Sequence, residues 1–174
     1  MKPKDLLSLS FTGVLVLCAL VITGLVIRRE FFSPEPQPQV RQVEDWQQLE
    51  LAGQRTGAAD APVQMVEFFD YECPFCKSVV PSIQAIQQKY GDKLSISYEH
   101  HPLEGHNHAF GAAVAAECAG RQDRFEVFHN LLFAHQDRLG ELSYDSLAAE
   151  AEVADISSFK VCLENEQTAS VVRS

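Results

Sequence analysis

The sequence predicts an α/β domain that follows an apolar N-terminal helix. Residues 63–69 form a β-rich apolar run, residues 73–90 carry apolar side chains at helical spacing, and residues 94–98 alternate between apolar and polar side chains. A strand, a helix and a strand in this order form a βαβ unit with parallel strands. The pattern from residue 108 to residue 167 is helical, so we expect a helical insertion after this unit.

Length and composition limit the possible classes of protein. The 174 residues suffice for one domain with appendages, and 46 % hydrophobic with 22 % charged residues is typical of a folded domain. The net charge of −10 argues against a nucleic-acid partner, because phosphate binding needs clustered basic side chains. Four of the five cysteines lie in the globular part. Two possible pairs indicate an oxidising compartment, since cytosolic proteins rarely keep disulfides.

The N-terminus predicts a membrane anchor. Residues 6–27 are free of charged side chains and follow a short tail, residues 1–5. The run is close to the roughly 20 residues that cross a bilayer, and no small-x-small cleavage site ends it. We therefore predict an uncleaved, single-pass signal anchor that contains Cys18, with a cleaved signal peptide as the alternative. Basic residues at both ends leave the orientation open, but the cysteines favour an extracytoplasmic domain.

A spacer and one domain follow the predicted anchor. Residues 28–45 include three prolines at alternate positions, which favour extended geometry and cannot build a core. Residues 46–174 then form the globular domain, with the helical insertion at about 104–167. The helices predicted there are 108–119, 122–136, 143–153 and 157–167.

The sequence Cys73-Pro74-Phe75-Cys76 lies where the first strand meets its helix. A Cys-x-x-Cys beside a βαβ pattern indicates redox chemistry. At a helix N-terminus, unpaired N–H groups and the helix dipole stabilise a thiolate, which is the nucleophile in disulfide exchange. We predict that Cys73 attacks and that Cys76 resolves the mixed disulfide. Pro74 loses no hydrogen bond at the first helical position.

Two other uses of the cysteine pair are open. A structural zinc site would need four ligands, and the sequence has no second Cys-x-x-Cys. An inert structural pair is the remaining alternative.

Three acidic residues precede the cysteine motif along the chain. Glu67 lies in an otherwise apolar strand, where burial of an ionised carboxylate is unfavourable. We expect its pKa to be raised and predict that it exchanges protons with Cys76, unless its face of the strand is solvated. Asp70 and Glu72 follow in the turn, and we predict that they are surface charges that weakly oppose a thiolate at Cys73.

Residues 60–76, together with Pro81, resemble the DsbA-like branch of the thioredoxin superfamily. The similar positions further along are 101–103, His106, 112–113, 116–119, 125–133 and 159–163, so that the resemblance covers roughly residues 57–172. It implies a thioredoxin fold with a helical insertion, and a thiol–disulfide oxidoreductase at the bacterial inner membrane whose domain faces outward. It also implies protein thiols or disulfides as substrates, an unidentified redox partner protein and no cofactor. Glu67 matches the family's buried acid, and Pro81 its helix-kinking proline.

The chain departs from the family pattern at two points. The family's insertion is followed by a strand with a preceding cis-proline, but no proline follows Pro102 before the last residue, Ser174. We therefore expect a sheet that is incomplete at the C-terminus, in a truncated product or a degenerate domain. Phe75 offers no hydrogen bond to a sulfur, so we expect a couple less oxidising than the about −120 mV of DsbA.

The remaining two cysteines, Cys118 and Cys162, fall on different predicted helices. A structural disulfide between them would close a long loop and contribute roughly 4 kcal/mol if the geometry fits. Two buried free thiols and a second exchanging pair are the alternatives.

A histidine cluster suggests a different function. Histidines at this density bind transition metals, and with the cysteine pair they could form a copper or zinc site. The alternative hypothesis is thus a membrane-tethered metal-binding module, and a further one is a catalytically silent domain. The cluster consists of His100, His101, His106 and His108.

Overall fold

The computed structural model describes residues 3–32, 42–44, 46 and 53–173. The chain divides into two compact units, Met1–Val43 and Glu44–Ser174.

The first unit contains one helix, α1, which spans the 30 residues Pro3–Phe32. Its described side chains, residues 13–29, are exposed. Among the described residues, no helix has the length and hydropathy needed to cross a membrane, so the predicted anchor over residues 6–27 is not supported. Residues 33–41 of the predicted spacer lie outside the described part of the chain.

The second unit is built on a sheet. Within residues 53–173 the sheet has three strands in the order β1-β3-β2, namely β1 (Gln54–Thr56), β2 (Val63–Phe69) and β3 (Leu94–His100). β2 and β3 are parallel, and Glu67 lies beside Tyr98 in their register. The predicted βαβ unit is therefore confirmed. The antiparallel β1 was not predicted, because its three residues are polar and too few to show a period.

Six α-helices and two short 3₁₀ helices, Gly91–Lys93 and Gln136–Arg138, complete this unit among the described residues. The α-helices are α2 (Pro74–Tyr90), α3 (Ala109–Gly120), α4 (Phe125–Ala134), α5 (Tyr144–Glu150), α6 (Ile156–Leu163) and α7 (Glu166–Arg173). The last predicted helix, 157–167, is in fact two helices. The Asn165 side chain accepts a hydrogen bond from the backbone of Gln167 at 2.8 Å, and this cap begins α7.

The core lies between the sheet and the helical insertion. β3 is the middle strand and is buried over its first five residues. The alanine-rich α3 is buried on nearly all sides, because its small side chains let α4, α6 and α7 approach closely. The aromatic side chains in this core include Phe125, Phe128, Phe133 and Phe159. This packing fixes the insertion against the end of the sheet where the cysteine motif lies.

Candidate active site

The two motif cysteines lie at the start of α2. Cys73 is the N-cap residue, with φ −76° and ψ 118°, and Pro74 opens the helix. The Cys73 side chain makes no capping hydrogen bond, and the unpaired N–H groups of a first helical turn favour a nearby thiolate. Both cysteines are free and partly exposed. The structure therefore brings together the two thiols and the helix N-terminus that disulfide exchange requires.

The two thiols differ in their surroundings. Burial raises the pKa of the Cys76 thiol, a hydrogen bond with the Asp70 backbone opposes this shift, and a hydrogen bond with the Cys73 thiol adds to it. A thiol that holds its proton while its neighbour reacts suits the resolving role predicted for Cys76.

Glu67 lies on β2 and precedes the motif along the chain. Its Oε2 atom is buried without a hydrogen-bond partner. Burial raises the pKa of the Glu67 carboxyl, in the direction that the sequence predicts. A cavity of about 10 Å³ adjoins Glu67, close to the space that one water needs. The cavity is also lined by Val80, Ile83, Gln84, Gln87, Tyr98, Glu126, His129 and Asn130.

A buried histidine on α4 belongs to the same region. His129 is only 4 % exposed, and its Nδ1 lies 3.1 Å from the hydroxyl of Tyr71. Burial is the main cause that lowers the pKa of His129 to about 3, with His100 adding to the effect, so the ring is neutral at physiological pH. The Phe69 ring packs 5.0 Å from the rings of both Tyr71 and His129. Sequence reasoning missed His129; a polar residue within the apolar face of a helix was its only signal.

The structure corrects the prediction that Asp70 is a surface charge. Asp70 is in fact 3 % exposed. Its Oδ1 accepts hydrogen bonds from the backbone N–H groups of Glu72 at 2.6 Å and Cys73 at 3.1 Å. Its Oδ2 accepts from the Leu103 N–H at 2.7 Å and lies 2.8 Å from Nδ1 of His106. The prediction was wrong because the segment after β3 folds back over the turn and covers Asp70.

Glu72 is also bound rather than free in solvent. Its Oε2 accepts hydrogen bonds from the backbone N–H groups of His108 at 2.7 Å and Ala109 at 2.9 Å. These N–H groups belong to the first turn of α3, where a carboxylate is favourable. Glu72 therefore caps α3 and ties the cysteine turn to the helical insertion.

A glutamine holds the same turn from the other side. The Gln136 side chain lies after α4 and donates hydrogen bonds to the carbonyl oxygens of Tyr71 at 2.8 Å and Cys73 at 3.0 Å. The neighbouring Asp137 lies 3.6 Å from the Lys77 ammonium of α2. Sequence analysis gave no signal for Gln136, because its partners are more than 60 residues away along the chain.

The histidine cluster does not converge on one point. His100 Nε2 lies 2.9 Å from Oε1 of Glu117, whereas His106 contacts Asp70. In the described part of the chain, no group of three or more His, Cys, Asp or Glu side chains could hold a metal ion. The metal-binding alternative therefore gains no support from the geometry.

The other cysteine pair is joined by a disulfide. It links Cys118 of α3 to Cys162 of α6, with an S–S distance of 2.04 Å and a Cα–Cα distance of 5.7 Å. Both residues are buried. The link lies within the helical insertion, apart from the free thiols at the start of α2.

Parallel strands joined by a helix that begins with two free cysteines, followed by a helical insertion, define a class of thioredoxin-fold oxidoreductases. The chain belongs to the thioredoxin family: a profile described as thioredoxin matches residues 51–174, which is more than half of its length.

Two similar proteins indicate which branch of the thioredoxin family this chain resembles. The solved structure of BdbD from Bacillus subtilis, in its oxidised form, is 32 % identical, has a TM-score of 0.59, and covers 68 % of this chain and 69 % of its own. The probable disulfide bond formation protein D of Bacillus anthracis is 28 % identical over 131 residues, which are 69 % of this chain and 60 % of that protein. At the level of the family, these matches support a DsbA-like thiol–disulfide oxidoreductase.

A third similarity covers a smaller region. The Na(+)/H(+) antiporter NhaA 1 of Mycolicibacterium gilvum is 45 % identical over 84 residues, which are 48 % of this chain. The matched region makes up only 14 % of the antiporter's length.

Proposed function

We propose that this chain is a thiol–disulfide oxidoreductase that exchanges disulfides with protein substrates through Cys73 and Cys76. The observation that carries the proposal is the pair of free, hydrogen-bonded thiols at the N-terminus of α2. The similarity to BdbD and to the probable disulfide bond formation protein D supports this proposal.

In the oxidising direction, a substrate thiolate attacks Sγ of Cys73 in the Cys73–Cys76 disulfide. The bond between the two cysteines breaks, a mixed disulfide forms at Cys73, and Cys76 leaves as a thiolate that takes up a proton. A second substrate thiolate then attacks the substrate sulfur of the mixed disulfide and releases Cys73. The substrate gains a disulfide, the chain becomes the dithiol, and a redox partner protein reoxidises it.

We assign the proton exchange with Cys76 to Glu67. A carboxyl with a raised pKa holds a proton nearer to neutral pH than an ordinary glutamate does. Its unpartnered oxygen and the adjoining cavity offer room for one water that would exchange a proton with the Glu67 carboxyl.

Phe75 supports a protein as the substrate. Phe75 lies between the two cysteines and is 79 % exposed. An unfolded segment of a substrate protein can therefore cover the Phe75 ring while a sulfur of that substrate reaches Cys73. An exposed phenyl ring beside the thiol favours an apolar, flexible chain over a small polar thiol.

We also propose that the domain works outside the cytoplasm. The Cys118–Cys162 disulfide would not persist against cytosolic reductants in most organisms. Attachment to the inner membrane through residues 6–27 is unsupported by the described residues, so the proposal concerns the domain.

The first test is the reduction potential of the Cys73–Cys76 pair. The full chain is equilibrated in graded glutathione buffers, and its free thiols are alkylated and counted by mass spectrometry. We expect the pair to cycle below about −120 mV; a value above roughly −200 mV would make it a disulfide donor and one near −270 mV a reductant. The Cys73→Ser variant should not cycle. A wild-type pair that stays reduced or oxidised throughout would refute the proposed function.

A further inference from the structure

We propose that Asp70 is a positioning residue, and that its carboxylate with His106 sets the reactivity of Cys73. The inference rests on the proposed function, because it concerns the same thiol pair. We call Asp70 and the four groups bonded to its carboxylate the Asp70 hub: the N–H groups of Glu72, Cys73 and Leu103, and the His106 ring.

The hub satisfies a buried carboxylate from two directions. Burial of an ionised carboxylate is unfavourable unless it is fully hydrogen-bonded, and an ionised carboxylate only accepts such bonds. Here each oxygen has two partners, with distances from 2.6 to 3.1 Å. The Asp70 side chain is 2 % exposed and the His106 side chain 30 % exposed, so water competes only at the histidine. With Asp70 ionised, Nδ1 of His106 carries the proton and donates it.

The two oxygens serve two different segments. Oδ1 accepts from the Cys73 N–H, which belongs to the residue that starts α2. Oδ2 accepts from the Leu103 N–H and binds His106, 33 and 36 residues further along the chain. A shift of the segment around Leu103 and His106 is therefore transmitted to the backbone of the attacking cysteine through a single carboxylate.

The hub also places a negative charge next to the thiols. The Asp70 charge is among the causes that raise the pKa of Cys76. A carboxylate close to the pair destabilises a thiolate, whereas a donor on the carboxylate offsets part of that charge. Asp70 thus disfavours the thiolate forms of the reduced pair, and His106 moderates the effect.

Opposite changes at the two residues test this assignment. The measured quantity is the equilibrium constant for the reaction of the dithiol protein with oxidised glutathione, which yields the protein disulfide and two reduced glutathiones. It is measured at about pH 9, where cysteine thiols ionise. Asp70→Asn removes the charge and should lower the constant by about threefold to tenfold. His106→Ala removes the donor that offsets the charge and should raise the constant by about twofold or more. His101→Ala, an exposed histidine of the same segment, is the matched control and should leave it unchanged.

The constant separates positioning from general stability. A residue that stabilises the oxidised and reduced folds equally changes the melting temperature of both and leaves the constant unchanged. Unchanged constants in folded Asp70→Asn and His106→Ala, or shifts that His101→Ala reproduces, would overturn the proposal. If Asp70→Asn does not fold, His106→Ala decides alone, and an unchanged constant there refutes the assignment.

A second measurement distinguishes this inference from the proposed function. Hydrogen exchange at the Leu103 amide reports on the hub without any redox cycling. We expect His106→Ala to speed it at least threefold and His101→Ala to leave it unchanged. If the wild-type pair never cycles with glutathione, the proposed function fails, and exchange at Leu103 still judges the hub; an unchanged rate in His106→Ala then refutes it.

Discussion

At the scale of single residues, the site depends on polar side chains that the fold removes from water. Glu67 and His129 line one cavity, and Asp70 accepts a hydrogen bond from the Cys73 N–H. The three side chains differ in how their polar atoms are partnered. Asp70 has four hydrogen bonds, His129 is held neutral beside Tyr71, and Glu67 retains one unpartnered oxygen. A buried carboxyl without a full set of partners is the group most able to change its protonation state during a reaction.

Replacement of Glu67 by glutamine should slow disulfide exchange. Glu67→Gln keeps the shape of the side chain and removes its ability to accept a proton. In the reducing direction Cys76 must lose its proton before its thiolate attacks Sγ of Cys73 in the mixed disulfide, so this step loses its proton acceptor. We expect the rate constant for release of a mixed disulfide at Cys73 to fall at least about tenfold at pH 7. Stopped-flow measurement with a fluorescent peptide disulfide gives this rate. The control is Glu126→Gln, which alters another carboxyl that lines the same cavity but is itself exposed. Equal rates in both variants would contradict a role in proton exchange.

The stability of Glu67→Gln relative to wild type should depend on pH. Because the folded-state pKa of Glu67 is raised, its contribution to stability is full below the unfolded pKa of about 4.3 and is lost as pH rises through the folded pKa. Glutamine does not titrate, so Glu67→Gln does not lose stability in this way as the pH rises. The free energy of unfolding of the variant relative to wild type should therefore rise between pH 4 and pH 7.5, by no more than about 1 kcal/mol because the carboxyl is only partly buried. Urea unfolding at both pH values measures it, and a difference that falls with pH would contradict the shift.

At the scale of elements, the turn between β2 and α2 is held by side chains from outside its own sequence. Glu72 reaches the first turn of α3, and Gln136 reaches back from the end of α4. The position of the thiols therefore depends on the helical insertion as well as on the βαβ unit.

Loss of the Glu72 cap should destabilise the domain. Glu72→Ala leaves the N–H groups of His108 and Ala109 without their acceptor, and we expect the free energy of unfolding to fall by about 1 kcal/mol. Glu72→Gln keeps an acceptor but loses the charge that favours a helix N-terminus, so its loss should be smaller. Urea unfolding with the Cys118–Cys162 disulfide intact compares both with Glu104→Ala, an exposed residue of the loop that precedes α3. Equal stability of Glu72→Ala and Glu104→Ala would show that the cap contributes nothing.

Elements whose signal is local could be predicted from the sequence, and contacts between distant segments could not. β2, α2 and β3 follow from short-range periodicity, and the cysteines from their spacing. The sequence also singled out Glu67, because an acid in an apolar strand is unusual. The burial of Asp70, by contrast, depends on a segment 33 residues away, and the setting of His129 on a partner 58 residues away. No pattern within a window of a helix or strand can show such contacts.

At the scale of the whole molecule, the Cys118–Cys162 disulfide joins two helices of the insertion that pack against the sheet. The two cysteines are 44 residues apart in the sequence, so this disulfide covalently links distant parts of the described chain. Chain entropy assigns such a link a stabilisation of about 4 kcal/mol, a large share of the roughly 5–15 kcal/mol by which a domain is usually stable.

Removal of this disulfide should therefore decide whether the domain depends on an oxidising compartment. We expect the variant with Cys118→Ala and Cys162→Ala to lose about 2–4 kcal/mol of unfolding free energy in urea. The control replaces Cys73 and Cys76 by alanine; a disulfide between those positions closes a loop of four residues and constrains the unfolded chain little. A loss below about 1 kcal/mol in the Cys118 and Cys162 variant would contradict a structural role, and the argument for an extracytoplasmic domain would lose its main support. A loss of the expected size would leave the reduced domain marginal at best, because cytosolic reductants would remove the same free energy as the mutations do.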